Sequence, residues 1–423
     1  MKSVATLQFT AVIGNFAQAL ISVFVARLFQ PELFGMYALA FGLAALIFIS
    51  TGVQETSLMI LGETYTKQDK EGTKNALILF VRFTMIFIGI TLAVAVFLPL
   101  ISKFFYHSYS IGWYAAIIIV ASCISSTVFS MSTMLLQVVG KIKHMATFIL
   151  LDQLLRFSLS LALIALGFGL VGAMLGHLIG ALIIFVVSIL IWSKIRKQYP
   201  IFPPLAKLFI SKHTAQFRHY FNFSLWATLD KNIAGLYGIL PVLLLGIFVT
   251  TAEVAFFKLA FAYSMLSLSF LTPVSVLLNF EFSRMRIEDP SRVRANFLRV
   301  SWYSLLVSAI LTAGAVIVAP LVFKIFYGPN FLVSVRYVYG LFVFGALFGI
   351  GVGLGSMWRA IDRVRLSIMV NVVTLGVGIP FGLWLIKTYG LWGGVIMVTL
   401  WYTISHFVSF VILSRILSKQ SAT

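Results

Sequence analysis

ALILFVRFTMIFIGITLAVAVFLPLISKFFY, residues 76–106, decides the fold class. From Ala76 to Ser102 its only ionisable side chain is Arg82. A helix needs about 20 apolar residues to cross the hydrocarbon core of a bilayer, whereas a barrel strand needs only about 10. This run is far too long for a strand. Lipid offers no hydrogen bonds to a backbone, so a single crossing segment must satisfy its own N–H and C=O groups as a helix.

Stretches of the same kind recur along the chain. Twelve lie near 4–28, 34–60, 76–102, 112–139, 145–166, 170–192, 221–249, 254–281, 296–325, 331–358, 366–387 and 391–414. The expectation is an all-α integral membrane protein with 12 transmembrane helices. The first stretch reads as an uncleaved span, because no small-residue cleavage site follows it. Composition agrees. The 423 residues are 61% hydrophobic and 10% charged, with a mean hydropathy of +1.04. A soluble domain carries about 25% charged residues to solvate its surface.

The net charge of +19 is a topology signal. Loops on one side hold only Arg27, Lys103, Lys324, Arg336 and Lys387. The loops on the other side hold most of the remaining cations, among them Lys70, Lys74, Arg196, Lys197 and Lys207. The positive-inside rule puts the richer side in the cytoplasm, with both termini and the 193–220 loop. Charge alternating in this way does not call for nucleic acid as a partner.

The end of the opening run leads to a duplication. Pro99–Tyr106 reads PLISKFFY, and Pro320–Tyr327 reads PLVFKIFY. At nearly the same offset, PELFGMYALAF (31–41) matches TAEVAFFKLAF (251–261), and GLVG (169–172) matches GLWG (390–393). The repeat predicts two six-helix bundles, 1–192 and 221–423, joined by a cytoplasmic linker loop at 193–220. An even-numbered unit keeps its orientation, which is the parallel-repeat plan of many secondary transporters.

Other motifs are set aside on context. Gly167-Phe-Gly-Leu-Val-Gly172 matches a dinucleotide fingerprint but lacks the strand that fingerprint requires; it reads as the turn between spans five and six. The single Cys123 excludes an internal disulfide, and the histidines form no metal-ligand cluster, so neither a metal nor another cofactor is called for. Gly172, Gly176 and Gly180 form a small-residue stripe, and Gly349, Gly351, Gly353 and Gly355 crowd span ten. Both suit close helix packing in lipid, or a sliding or bending surface.

Intramembrane charges mark the candidate site, since each costs about 2.5–3.5 kcal/mol at the bilayer centre on insertion scales. Asp152, Arg156, Asp230 and Lys231 lie deepest; Arg82 and Lys258 are shallower. Asp152 and Arg156, four residues apart, share a helix face and can pair. Asp230 and Lys231 point about 100° apart and cannot neutralise each other.

Ala26-RLFQPELFGMYAL-Ala40 resembles the opening of Wzx-type polysaccharide flippases, in the multidrug/oligosaccharidyl-lipid/polysaccharide exporter superfamily. Leu271-Thr-Pro273, Pro320–Phe331 and Tyr389–Gly393 are similar to family segments, and Asp230-Lys231 matches its Asp-basic pair in span seven. The distance from that pair to Leu243–Gly246 is longer than the family's. The resemblance implies translocation of an oligosaccharide linked to an anionic polyprenyl diphosphate, from the cytoplasmic to the outer leaflet of the inner membrane, by alternating access. It implies a transporter and not an enzyme. Arg82, Arg156, Lys231 and Lys258 would then bind substrate, and Asp152 and Asp230 would couple export to H+ or Na+, with membrane lipids around the prenyl tail. A multidrug or small-molecule exporter of the same superfamily is the nearest alternative. A membrane-embedded polysaccharide polymerase is less favoured, because no large external loop is present.

Overall fold

The computed structural model describes residues 20–48, 53–210 and 217–420. Every described element is helical. The elements used below are α1 (Pro31–Ile47), α2 (Val53–Thr66), α3 (Lys70–Tyr106), α4 (Tyr109–Val138), α5 (Ile142–Leu163), α6 (Gly169–Gln198), α7 (Leu205–Ile210) and α8 (Phe217–Leu245). They continue as α9 (Thr251–Leu268), α10 (Thr272–Glu288), α11 (Pro290–Val322), α12 (Ser334–Gly340), α13 (Phe342–Phe348), α14 (Leu354–Ala360), α15 (Val364–Tyr389) and α16 (Leu391–Gln420). Nine helical stretches among the described residues are long and apolar enough to cross a membrane. Large apolar side chains stay exposed along the longest of them, including Val96, Ile310, Ile317 and Val377. Water does not tolerate such a surface, and lipid does.

The long run 76–106 is the body of α3. Asp69 opens the helix by accepting a hydrogen bond from the Gly72 N–H at 2.9 Å, which satisfies one of the four orphan donors of a helix start. His107 closes it in the left-handed conformation, at φ 55°. The helix starts at Lys70, before the predicted span. Its first turns carry polar residues beyond the apolar run.

Two predicted spans change helical geometry along their length. Span eight divides into α9 and α10 around a 3-10 turn at Ser269–Leu271, just before Pro273. Span ten divides into α12, α13, a 3-10 turn at Gly349–Gly351, and α14. Proline and clustered glycines lower the cost of interrupting the i to i−4 ladder. Of span two, α1 and α2 are described, and residues 49–52 between them lie outside the described residues.

The chain forms two compact units: 40–232, and 20–39 together with 233–423. In the first, α4 packs against α3 and α6, and α5 packs against α6. In the second, α11 packs against α13, and α15 against α16. Each unit contains one copy of the duplicated turn. Gly169 sits at φ 55°, ψ −139°, and Gly390 at φ 56°, ψ −130°. That region is closed to ordinary L-residues, so glycine is required at both places. A shared backbone state at equivalent positions is what duplication predicts.

Residues 20–39 join the second unit through specific contacts. Gly35 lies against the Thr251 backbone so closely that a Cβ would fall 1.7 Å from the Thr251 carbonyl oxygen. Phe34 meets Phe331 edge-on at 5.9 Å, and Phe331 meets Phe256 at 6.3 Å. Arg27 donates from Nε to the Phe326 carbonyl at 2.6 Å and from Nη2 to the Ile325 carbonyl. These carbonyls close the π-helical turn Phe323–Tyr327, where a helix end leaves acceptors without partners. Replacing Arg27 with Met is therefore expected to lower stability by about 1 kcal/mol, the modest figure reflecting solvent exposure. The check is the thermal midpoint of the purified protein in detergent. An unchanged midpoint means that the cap contributes nothing.

Candidate functional site

The first unit is built around Arg156. Its Nε donates to Asp152 Oδ1 at 2.6 Å, one helical turn away on α5. Its Nη2 donates to Ser125 Oγ on α4 at 2.6 Å, and Nη1 lies 3.4 Å from His177 Nε2 on α6. One guanidinium thus ties three helices together. The Arg156 and Asp152 side chains are 10% and 19% exposed. His177 packs edge-on against Phe41 at 5.5 Å, and its Nδ1 has no partner among the described residues.

Glycines make this approach close enough. A Cβ at Gly180 would lie 2.7 Å from the Arg156 Cα, and one at Gly176 only 2.3 Å from the Ser160 backbone nitrogen. Lipid gives helices no hydrophobic reason to associate, so contacts between small residues and interhelical hydrogen bonds must hold them. Ser160 Oγ adds such a bond, donating to the Ala173 carbonyl at 2.8 Å. The stripe at 172, 176 and 180 is the packing face of α6 on α5.

The second unit centres on aromatics and a histidine. Tyr402 lies 5.2 Å from Tyr237 and 5.0 Å from Phe344, ring to ring. His406 is enclosed by Tyr402 at 5.7 Å and Phe348 at 5.6 Å. Its Nδ1 also has no partner among the described residues. Gly351 makes room for that ring, since a Cβ there would meet His406 Cε1 at 2.4 Å. Gly349 lies against the Ser304 carbonyl, and its N–H donates to Ser308 Oγ at 3.0 Å. The glycines of span ten thus seat α16 and α11.

The predicted site residues separate into kinds. Asp152 and Arg156 are brought together, in one network. Arg82 on α3 and Asp230 on α8 are half-buried, and neither is without interactions. The Lys231 side chain lies outside the described residues. Lys258, half-buried on the spanning helix α9, has no hydrogen bond or ion pair among the described residues. Ser125, His177 and His406 join these clusters although nothing in the sequence singled them out. Among the described residues no group of three His, Cys, Asp or Glu side chains is placed to hold a metal ion.

A family profile described as "Polysaccharide biosynthesis protein" matches residues 24–336. No curated protein matches the sequence significantly. Solved structures with the same fold include an inward-facing multidrug resistance MATE family transporter of the MOP superfamily. It has a TM-score of 0.75 at 17% identity over 100% of this chain and 99% of that one. The lipid II flippase MurJ, inward closed, has a TM-score of 0.71 at 14% identity over 97% and 89%. An outward-facing MATE transporter of the same superfamily has a TM-score of 0.62 at 16% identity over 100% and 97%.

Proposed function

Because the chain belongs to the family of polysaccharide biosynthesis proteins, and has the fold of MOP-superfamily transporters, we propose that it is a flippase for a polyprenyl-diphosphate-linked oligosaccharide. It would carry this amphiphile from the cytoplasmic to the outer leaflet by alternating access between the two bundles. The family match over residues 24–336 supports this reading most. The chain is a multi-pass membrane protein; its placement in the inner membrane with both termini cytoplasmic is part of the proposal.

The chemistry is consistent. A diphosphate is anionic, and its prenyl tail stays in lipid. Lys258, a cation without a described partner in a spanning helix, suits an anionic ligand, because an uncompensated charge there is costly until something binds it. Arg82 and Lys231 join it in this reading. Arg156 is committed to Asp152, Ser125 and His177, so its first role is to hold the unit together. Asp152 and Asp230 remain the proposed ion-coupling carboxylates, for H+ or Na+. Export of a small molecule is the second reading, favoured by the MATE structural neighbours.

Two experiments test the proposal. Substituting Arg82→Gln should reduce surface polysaccharide at least tenfold while the protein inserts at normal levels; normal display would remove Arg82 from the site. A reporter fused at Lys207 should read as cytoplasmic. External exposure of that fusion would overturn the orientation and with it the proposed direction of transport.

A further inference from the structure

A cleft in the first unit gathers cations from three helices. Lys70 and Lys74 come from α3, Arg196 and Lys197 from α6, and Lys207 from α7. The cleft is open, with a volume of about 570 Å³, and has no acidic side chain in its lining. Its floor is fixed. Phe202 is buried and stacks on Tyr65 at 5.7 Å with the rings 3° from parallel. Ile201 and Leu208 are buried in the same core cluster. Pro200, Pro203 and Pro204 restrict the connecting backbone. Proline fixes φ and reduces the freedom lost on folding.

None of the five cations forms a salt bridge with a described residue, whereas Lys67, next to the cleft in sequence, is committed to Glu63 at 2.6 Å. The positive-inside rule accounts for basic loops in general. It does not require five cations to converge on one preformed concavity and remain unpaired.

The apolar surroundings indicate what kind of anion fits. On α6, Ile183, Val186 and Leu190 are exposed. Spacings of three, four and seven residues put them on one helix face with Lys197. On α7, Phe209 and Ile210 are exposed, 44% and 78%, beside Lys207. A cationic cleft at the end of an exposed apolar column matches an amphiphile. Its phosphate would lie in the cleft and its chain along α6 in the bilayer.

We propose that this cleft binds the phosphate headgroup of a membrane lipid in the leaflet on the linker side. The site lies apart from the intramembrane charges and does not rest on the transport reading. Two lipids share the required chemistry, a bulk anionic phospholipid and a polyprenyl diphosphate. Basic side chains at a membrane surface attract such headgroups at short range, within a Debye length.

The test is lipid binding to the purified full chain, read by native mass spectrometry in detergent. The probes are phosphatidylglycerol, a polyprenyl diphosphate, zwitterionic phosphatidylcholine and water-soluble pyrophosphate. Phosphatidylglycerol or the polyprenyl diphosphate should bind, and phosphatidylcholine should not. Binding of phosphatidylglycerol assigns the site to bulk lipid; binding of the polyprenyl diphosphate alone assigns it to the carrier. The double variant Lys74→Gln, Arg196→Gln should bind about thirtyfold more weakly, and Lys74→Arg should bind normally. The variant Arg415→Gln, Lys419→Gln loses the same charge elsewhere and should change binding less than about threefold.

Equal binding by wild type and the cleft variant overturns the proposal. So does an equal loss in the Arg415/Lys419 control, which would indicate diffuse attraction to a basic surface, or pyrophosphate binding as tightly as either lipid. Should Lys74→Gln, Arg196→Gln fail to fold, Lys197→Gln with Lys207→Gln gives the same readout from exposed side chains.

Discussion

Replacing Arg156 with methionine should destabilise the first unit by about 3 kcal/mol or more. The side chain is nearly buried, and its removal leaves the Asp152 carboxylate and Ser125 Oγ without the donors they now have. Breaking a buried pair from one side costs more than the pair contributes, because the remaining charge has lost its water and its partner. Asp152→Asn in the Arg156→Met background should therefore recover much of the loss. The measurement is a double-mutant cycle on unfolding in detergent, scored as a coupling energy. Additive effects of the two substitutions would contradict the network. Gly180→Val should act in the same direction, since its Cβ would collide with the Arg156 backbone at 2.7 Å.

Lys258→Gln is expected to cut transport on the order of a hundredfold while leaving insertion and stability near normal. Removing a charge from a desolvated ion contact typically costs 2–5 kcal/mol of affinity. Unlike Arg156, Lys258 has no described partner that its loss would strand. Lys258→Arg should restore transport in part, since it keeps the charge but changes the geometry of contact. Lys231→Gln should behave like Lys258→Gln. The readout is surface polysaccharide normalised to inserted protein. Normal display in both glutamine variants would remove these lysines from the substrate path. Loss of inserted protein would instead make them structural.

Among the described residues hydropathy alone places the crossings well, because lipid imposes length and apolarity on them; most of the first stretch, 4–28, lies outside those residues. Hydropathy does not reveal the 3-10 turns at Ser269–Leu271 and Gly349–Gly351. A local change of ladder leaves the mean hydropathy unchanged, and the span-ten glycines indicate bending without fixing where it falls. The Asp152–Arg156 pair was legible because helical spacing puts four-residue neighbours on one face. Ser125 and His177 were not, since their contact with Arg156 comes from helix packing across 31 and 21 residues of chain. The glycine stripe opposite Arg156 was the available hint that something packs closely there. The basic cleft was visible only as loop charge. Its convergence depends on the fold of 200–208, which no periodicity encodes.

Reconstituted transport tests the central claim most directly. Proteoliposomes containing the purified chain would receive a labelled polyprenyl-diphosphate oligosaccharide, with loss of leaflet accessibility followed over time. The account predicts protein-dependent translocation of this lipid, strongly reduced by Lys258→Gln, and no comparable movement of a cationic drug. Drug transport without glycolipid translocation would contradict it and establish the small-molecule exporter in its place.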